Sequence, residues 1–114
     1  MGGVISLYAG IKYPDVFGLV ASLSGSYFVS LREFVELIEK QDVSKLKKVY
    51  IDTGDSEIAG GDETDYVMSN LDIFDALKAK LSNEKLEFQM ISGGKHHEVD
   101  WAKRFPNIVR TLFN

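Results

Sequence analysis

Four stretches of this chain carry apolar residues at helical spacing and three carry short apolar runs. The two kinds alternate from one end to the other. Val4, Leu7, Tyr8 and Ile11 recur at i, i+3, i+4 and i+7, which predicts one packed face of a first helix ended by Tyr13-Pro14. Leu19 to Leu23 is an apolar run closed by Ser24-Gly25-Ser26, as in a buried parallel strand. Ser30 with Glu33 has the spacing of a capping box opening a second helix, with Leu31, Phe34, Val35 and Ile38 as its apolar face. Lys48 to Thr53 reads as a second buried strand stopping at Gly54.

A polar loop from Gly54 to Asp65, with three glycines and five carboxylates, separates this strand from a third helix. That helix is predicted to bury Val67, Leu71, Phe74, Leu77 and Leu81, and Asp62, Glu63 and Asp65 belong to a solvated loop and a first turn where negative charge suits the dipole. Leu86 to Ile91 alternates between apolar and polar, the pattern of a strand near a sheet edge. A last helix would bury Trp101, Phe105, Ile108 and Leu112, with Pro106 producing a kink or two short helices. The order α-β-α-β-α-β-α predicts a three-layer αβα arrangement with about three parallel strands flanked by helices. Residues 1–114 read as one domain, without internal repeat or linker.

Composition narrows the function classes. At 114 residues and 45% hydrophobic, the chain suits one small globular domain and is too short for a complete α/β hydrolase. A net charge of −4 without a basic block argues against nucleic acid or an anionic membrane as partner. The absence of cysteine excludes disulfides, thiolate catalysis and cysteine zinc sites. No apolar run approaches the roughly 18 residues of a spanning helix, and the start has no leader-like pattern, so the expected compartment is cytoplasmic.

The chemistry sits at the two ends and in the Gly54 loop. Met1-Gly2-Gly3 opens the first helix as the tail of a strand-to-helix nucleophile elbow does. Gly54 is followed three positions on by Glu57, and the chain later runs Gly93-Gly94-Lys95-His96-His97-Glu98, with Trp101 next. A histidine after a strand and a Gly-Gly turn stands where a general base reaches over the C-terminal edge of a sheet. Ser6, Ser24 and Ser26 lack the Gly-x-Ser-x-Gly setting of a nucleophile. A metal site from His96, His97 and Asp100 lacks a convincing ligand geometry, so neither metal nor cofactor is expected.

These motifs resemble the C-terminal portion of the Putative esterase family, the α/β-hydrolase group with enterochelin-esterase-like, feruloyl-esterase-like and esterase-D-like enzymes. The resemblance rests on Met1-Gly2-Gly3, Ser24-Gly25-Ser26-Tyr27-Phe28, Gly54 with Glu57, and Gly93, Gly94, His96, Glu98 and Trp101. It covers essentially the whole chain and departs from the family in one respect: the elbow serine, its preceding glycine and the first five strands are not in these 114 residues. It implies a partial α/β-hydrolase fold and a serine carboxylic-ester hydrolase, cut just after the nucleophile and inactive alone. His96 would be the base, and Glu57, or else Asp55 on the immediate turn, the acid. The Met1 N–H would be an oxyanion donor, and Ser26, Tyr27, Phe28 and Trp101 would line the site of a small-molecule ester.

Two other readings stand beside it. One is a non-catalytic α/β interaction module derived from a hydrolase, and the other an unrelated flavodoxin-like domain. The strand Leu19 to Leu23 would have an unpaired edge, so a homodimer or a complementary N-terminal half is the expected partner.

Overall fold

The computed structural model describes residues 2–55, 63–94 and 98–113. Eight elements follow one another: α1 (Gly2–Lys12), β1 (Leu19–Leu23), the short 3-10 turn η1 (Tyr27–Val29), α2 (Leu31–Lys40), β2 (Lys48–Gly54), α3 (Glu63–Lys78), β3 (Leu86–Ile91) and α4 (Glu98–Phe113). The strands form a parallel sheet in the order β1-β2-β3. Leu19 pairs with Lys48 and Leu23 with Asp52, while Val49 pairs with Leu86 and Gly54 with Ile91.

Parallel strands taken in sequence order require each crossover to pass over the same face. Accordingly, Leu7 and Ile11 of α1, Phe34 and Ile38 of α2, and Ile73 and Leu77 of α3 form one core with Val20, Val49, Ile51 and Leu86 of the sheet. The other face carries α4, which lies against β1 and β2 and buries Ile108. β2 is the middle strand, and its residues from Val49 to Gly54 are all buried, in keeping with the buried strand expected over Lys48 to Thr53. β3 is an edge strand, the place its alternation predicts, but Gln89 and Met90 are both exposed, so its outer end is bare on both faces. β1 buries alternate residues only, Val20 and Ser22, and its outer side pairs with no strand among the described residues.

Several details depart from the sequence-based expectations. Ser30 does stand before α2, but its side chain makes no capping bond, because its backbone at φ −143° and ψ 47° continues out of η1. Tyr8 and Phe105 are exposed, each displaced from its helix's packed face by a residue the hydrophobic pattern passes over: Gly10 is buried in α1 and Arg104 half-buried in α4. In α3 the buried stripe is Tyr66, Ser69, Asn70, Ile73 and Leu77, a small rotation from the expected one that leaves Val67, Leu71 and Phe74 half-buried. α4 runs as one helix through Pro106, not as two short ones. The carbonyl of Ala102, which Pro106 cannot serve, belongs to an exposed residue within reach of water.

Candidate functional site

Parallel strands end on one edge, so the segments after β1, β2 and β3 meet there, the usual place for a site in an open α/β sheet. The first of these is Ser24-Gly25-Ser26. Ser24 adopts a positive φ of 51°, which turns the chain sharply off β1 while its N–H donates to the Asp52 carbonyl at 2.8 Å. Three elements grip this turn. From α3, the buried Asn70 Nδ2 donates to the Gly25 carbonyl at 3.0 Å and to the Tyr66 carbonyl at 2.8 Å, and its Oδ1 has no partner among the described residues. From α4, Trp101 Nε1 and Arg104 Nη2 both donate to Ser24 Oγ, at 3.3 and 3.4 Å.

The start of α1 is tied to the same turn through Tyr27. Its hydroxyl donates to the Gly3 carbonyl at 3.2 Å and accepts from Ser22 Oγ at 2.6 Å. Burial pushes the Tyr27 phenol well above its ordinary range, so it remains a neutral donor. A Cβ on Gly3 would stand 2.9 Å from Ser22 Oγ and 3.1 Å from both the Leu23 carbonyl oxygen and Gly25 Cα. Only glycine lets the helix begin this close to the strand end.

The segments after β2 and β3 touch through their backbones. A Cβ on Gly54 would lie 2.2 Å from the Gly94 carbonyl oxygen, and one on Gly94 would lie 3.0 Å from Gly54 Cα. Asp55 fastens the crossing: its Oδ1 accepts the Gly93 N–H at 2.7 Å, and its own N–H donates to the Ile91 carbonyl at 3.1 Å. Gly93 makes the turn at φ 72°.

Behind this edge, Asp52 is fully buried and accepts three hydrogen bonds. Arg104 engages it side-on, with Nε 2.8 Å from Oδ2 and Nη2 3.0 Å from Oδ1, and the Tyr50 hydroxyl donates to Oδ2 at 2.8 Å. Burial and the Asp52 charge together raise the Tyr50 pKa far above the ordinary phenol value, so this donor too stays protonated.

Among the hollows beside these anchors, two are lined by residues of α1. One, of about 270 Å³, lies between Gly3 and Ser6 of α1, Ala21 and Leu23 of β1, Ser24 and Trp101. The other, about 110 Å³ and mostly apolar, is walled by Val4, Ser26, Tyr27, Val29, Ser30 and Phe34.

The Putative esterase family model matches residues 1–112, nearly the full chain. The chain belongs to this family. It is also similar to the uncharacterized protein YbbA of Bacillus subtilis (strain 168), 28% identical over 123 aligned positions that take in 99% of this chain and 46% of that protein. The chain thus spans less than half the length of the curated relative it matches. No solved structure matches it.

Within this esterase-family chain the structure brings together Gly3, Ser24, Asp55, Gly94 and Trp101 at one edge. Met1, Glu57 and His96 lie outside the described residues; their described neighbours Gly3, Asp55 and Gly94 all stand at that edge. Asp55 is engaged in joining the two loops. Ser26 is half-buried on the smaller hollow, whereas Tyr27 is core, its ring 5.0 Å from Phe34 in an edge-on contact. Phe28 packs edge-on against Tyr66 at 5.0 Å, and Trp101 walls the larger hollow. The residues that sequence reasoning did not place at this edge are Asp52, Asn70 and Arg104. Their signal was available: Arg104 lies between Trp101 and Ile108 on the packed stripe of α4, and a charge at such a position calls for a buried partner. Among the described residues, no helix is long and apolar enough to cross a membrane.

Proposed function

We propose that this chain is the C-terminal portion of a serine carboxylic-ester hydrolase of enterochelin-esterase-like or esterase-D-like type, acting on a small-molecule ester. The observation that carries the reading is the backbone crossing of Gly54 and Gly94 at the edge where α1 begins. In a family whose members are esterases by description, that crossing joins the segment leading to Glu57 with the segment leading to His96. In the intact enzyme a serine preceding Met1 attacks the ester carbonyl, and His96 takes its proton and returns it to the leaving alcohol. Glu57 orients the imidazole and stabilises its charged form, and Asp55 holds the two loops in register. The Met1 N–H is one oxyanion donor, belonging to the residue after the nucleophile. Ser26 and Trp101 line the substrate site, and Tyr27 and Phe28 support its wall.

On this reading the 114 residues alone lack a nucleophile. They are expected neither to label with a fluorophosphonate probe nor to hydrolyse p-nitrophenyl acetate faster than a His96→Ala variant. Stoichiometric labelling of any serine would sink the assignment. Extending the chain upstream to include a Gly-x-Ser should restore both labelling and turnover.

A second reading, a non-catalytic interaction module, is favoured by the open edge of β1. That edge pairs with no strand among the described residues, and Ile5, Tyr8, Tyr13 and Phe17, on α1 and the segment joining it to β1, are exposed. Either a second copy or a complementary N-terminal half would cover this side. Sedimentation velocity at micromolar concentration is expected to show a dimer for the 114 residues alone, and a clean monomer would exclude the second copy.

A further inference from the structure

Ser24 is only 1% exposed, and its hydroxyl is engaged on the oxygen side alone. Trp101 Nε1 and Arg104 Nη2 both donate to Oγ, which occupies its two lone pairs and leaves the O–H proton without an acceptor among the described residues. Arg104 carries a full charge, so the bond it makes polarises the hydroxyl and strengthens it as a donor. Ser24 borders the hollow of about 270 Å³, the space from which an acceptor would take that proton.

Another wall of this hollow is the start of α1, a helix of 11 residues. Gly2 and Gly3 stand in its first turn, where backbone N–H groups have no partner within the helix, and that turn carries no acidic side chain to satisfy them. The described lining of the hollow holds no carboxylate, and Asp52 behind it is already paired with Arg104. Donors from a side chain and from a helix end therefore face one space. The remaining walls, Ala21, Leu23 and the Trp101 indole, are largely apolar, and the volume holds roughly nine water-sized groups at about 30 Å³ each. An inorganic anion would leave most of that space and its apolar surface unused, whereas an organic acid fills both.

We propose that this hollow binds a small organic carboxylate of about the size of benzoate, its oxygens taken by the Ser24 hydroxyl and the first N–H groups of α1 and its apolar body laid against Leu23 and Trp101. The inference stands apart from the roles given to His96 and Glu57 and survives their failure.

The test titrates the 114-residue chain, labelled with ¹⁵N, with sodium benzoate, with benzamide as an uncharged molecule of the same shape, and with inorganic phosphate, all at equal ionic strength. Trp101 is the only tryptophan of the chain, so its indole N–H and its fluorescence report on this hollow. Benzoate is expected to shift the Gly2, Gly3, Ser24 and indole resonances saturably, and to bind about tenfold more tightly than benzamide, the worth of one hydrogen bond to a charged group. Phosphate should bind more weakly than benzoate. Ser24→Gly, which removes the hydroxyl and suits the φ of 51°, should weaken benzoate by the same factor and leave benzamide unchanged. Ala21→Leu, which keeps every donor and fills the space, should weaken both. Benzamide binding as tightly as benzoate, or benzoate shifts that bypass Gly2, Gly3 and Ser24, would overturn the site. Tighter binding of phosphate would overturn the preference for an organic acid. If Ser24→Gly fails to fold, Ala21→Leu decides, and undiminished benzoate binding in that variant would overturn the assignment.

Discussion

Replacing Arg104 with alanine is expected to destabilise the fold by about 3–5 kcal/mol, the usual cost of leaving one partner of a buried ion pair alone. Asp52 is fully buried, and Arg104 supplies two of the three hydrogen bonds its carboxylate receives. Tyr50 alone cannot replace that charge. Ser24 Oγ loses one of its two donors in the same step, so the turn after β1 loosens along with the start of α4. Urea unfolding followed by circular dichroism measures the loss. A decrease below about 1 kcal/mol, the size of an ordinary surface contact, would mean that Asp52 finds water or another cation. Removing both charges together in Asp52→Leu/Arg104→Met is expected to cost much less, because no buried charge is then left unpaired. The contrast between single and double variants is the decisive quantity.

Gly54→Ala is expected to destabilise by roughly 3 kcal/mol, at the upper end for overpacking. The new Cβ would stand 2.2 Å from the carbonyl oxygen and 2.4 Å from the carbonyl carbon of Gly94, and it is backbone that must give way. Gly94→Ala should cost less, since its Cβ would meet Gly54 Cα at 3.0 Å and the Ile91 side chain at 3.1 Å. Separating the loops also breaks the Asp55 bond to the Gly93 N–H. Amide exchange at Gly93 should therefore accelerate in Gly54→Ala, and an unchanged rate with unchanged stability would show that the loops can part without cost.

Element order, strand direction and the edge position of β3 were legible in the hydrophobic pattern. A run of six buried residues from Val49 to Gly54 needs cover on both faces, and an alternating strand such as Leu86–Ile91 needs it on one. Rotation of the helices was less legible. In α3 the apolar stripe suggested Val67, Leu71 and Phe74, yet the helix turns toward Tyr66, Asn70 and Ile73 because Asn70 finds the Gly25 carbonyl there. In α4 the pattern favoured Phe105, but the Arg104–Asp52 pair turns that ring to solvent. Hydrophobicity ranks positions by transfer energy and treats a charge as outward-facing. A charge whose partner lies 52 residues away is invisible to it.

By itself, the sequence determined the three-strand parallel sheet, the loops at its C-terminal edge and the small residues that permit close approach, because periodicity and glycine placement act locally. Only the tertiary structure decided that Gly54 and Gly94 meet, that Asp55 joins their loops and that Ser24 gathers bonds from Trp101 and Arg104. Each of those contacts joins positions tens of residues apart, and nothing in local spacing ranks one distant partner above another until the strands are in register.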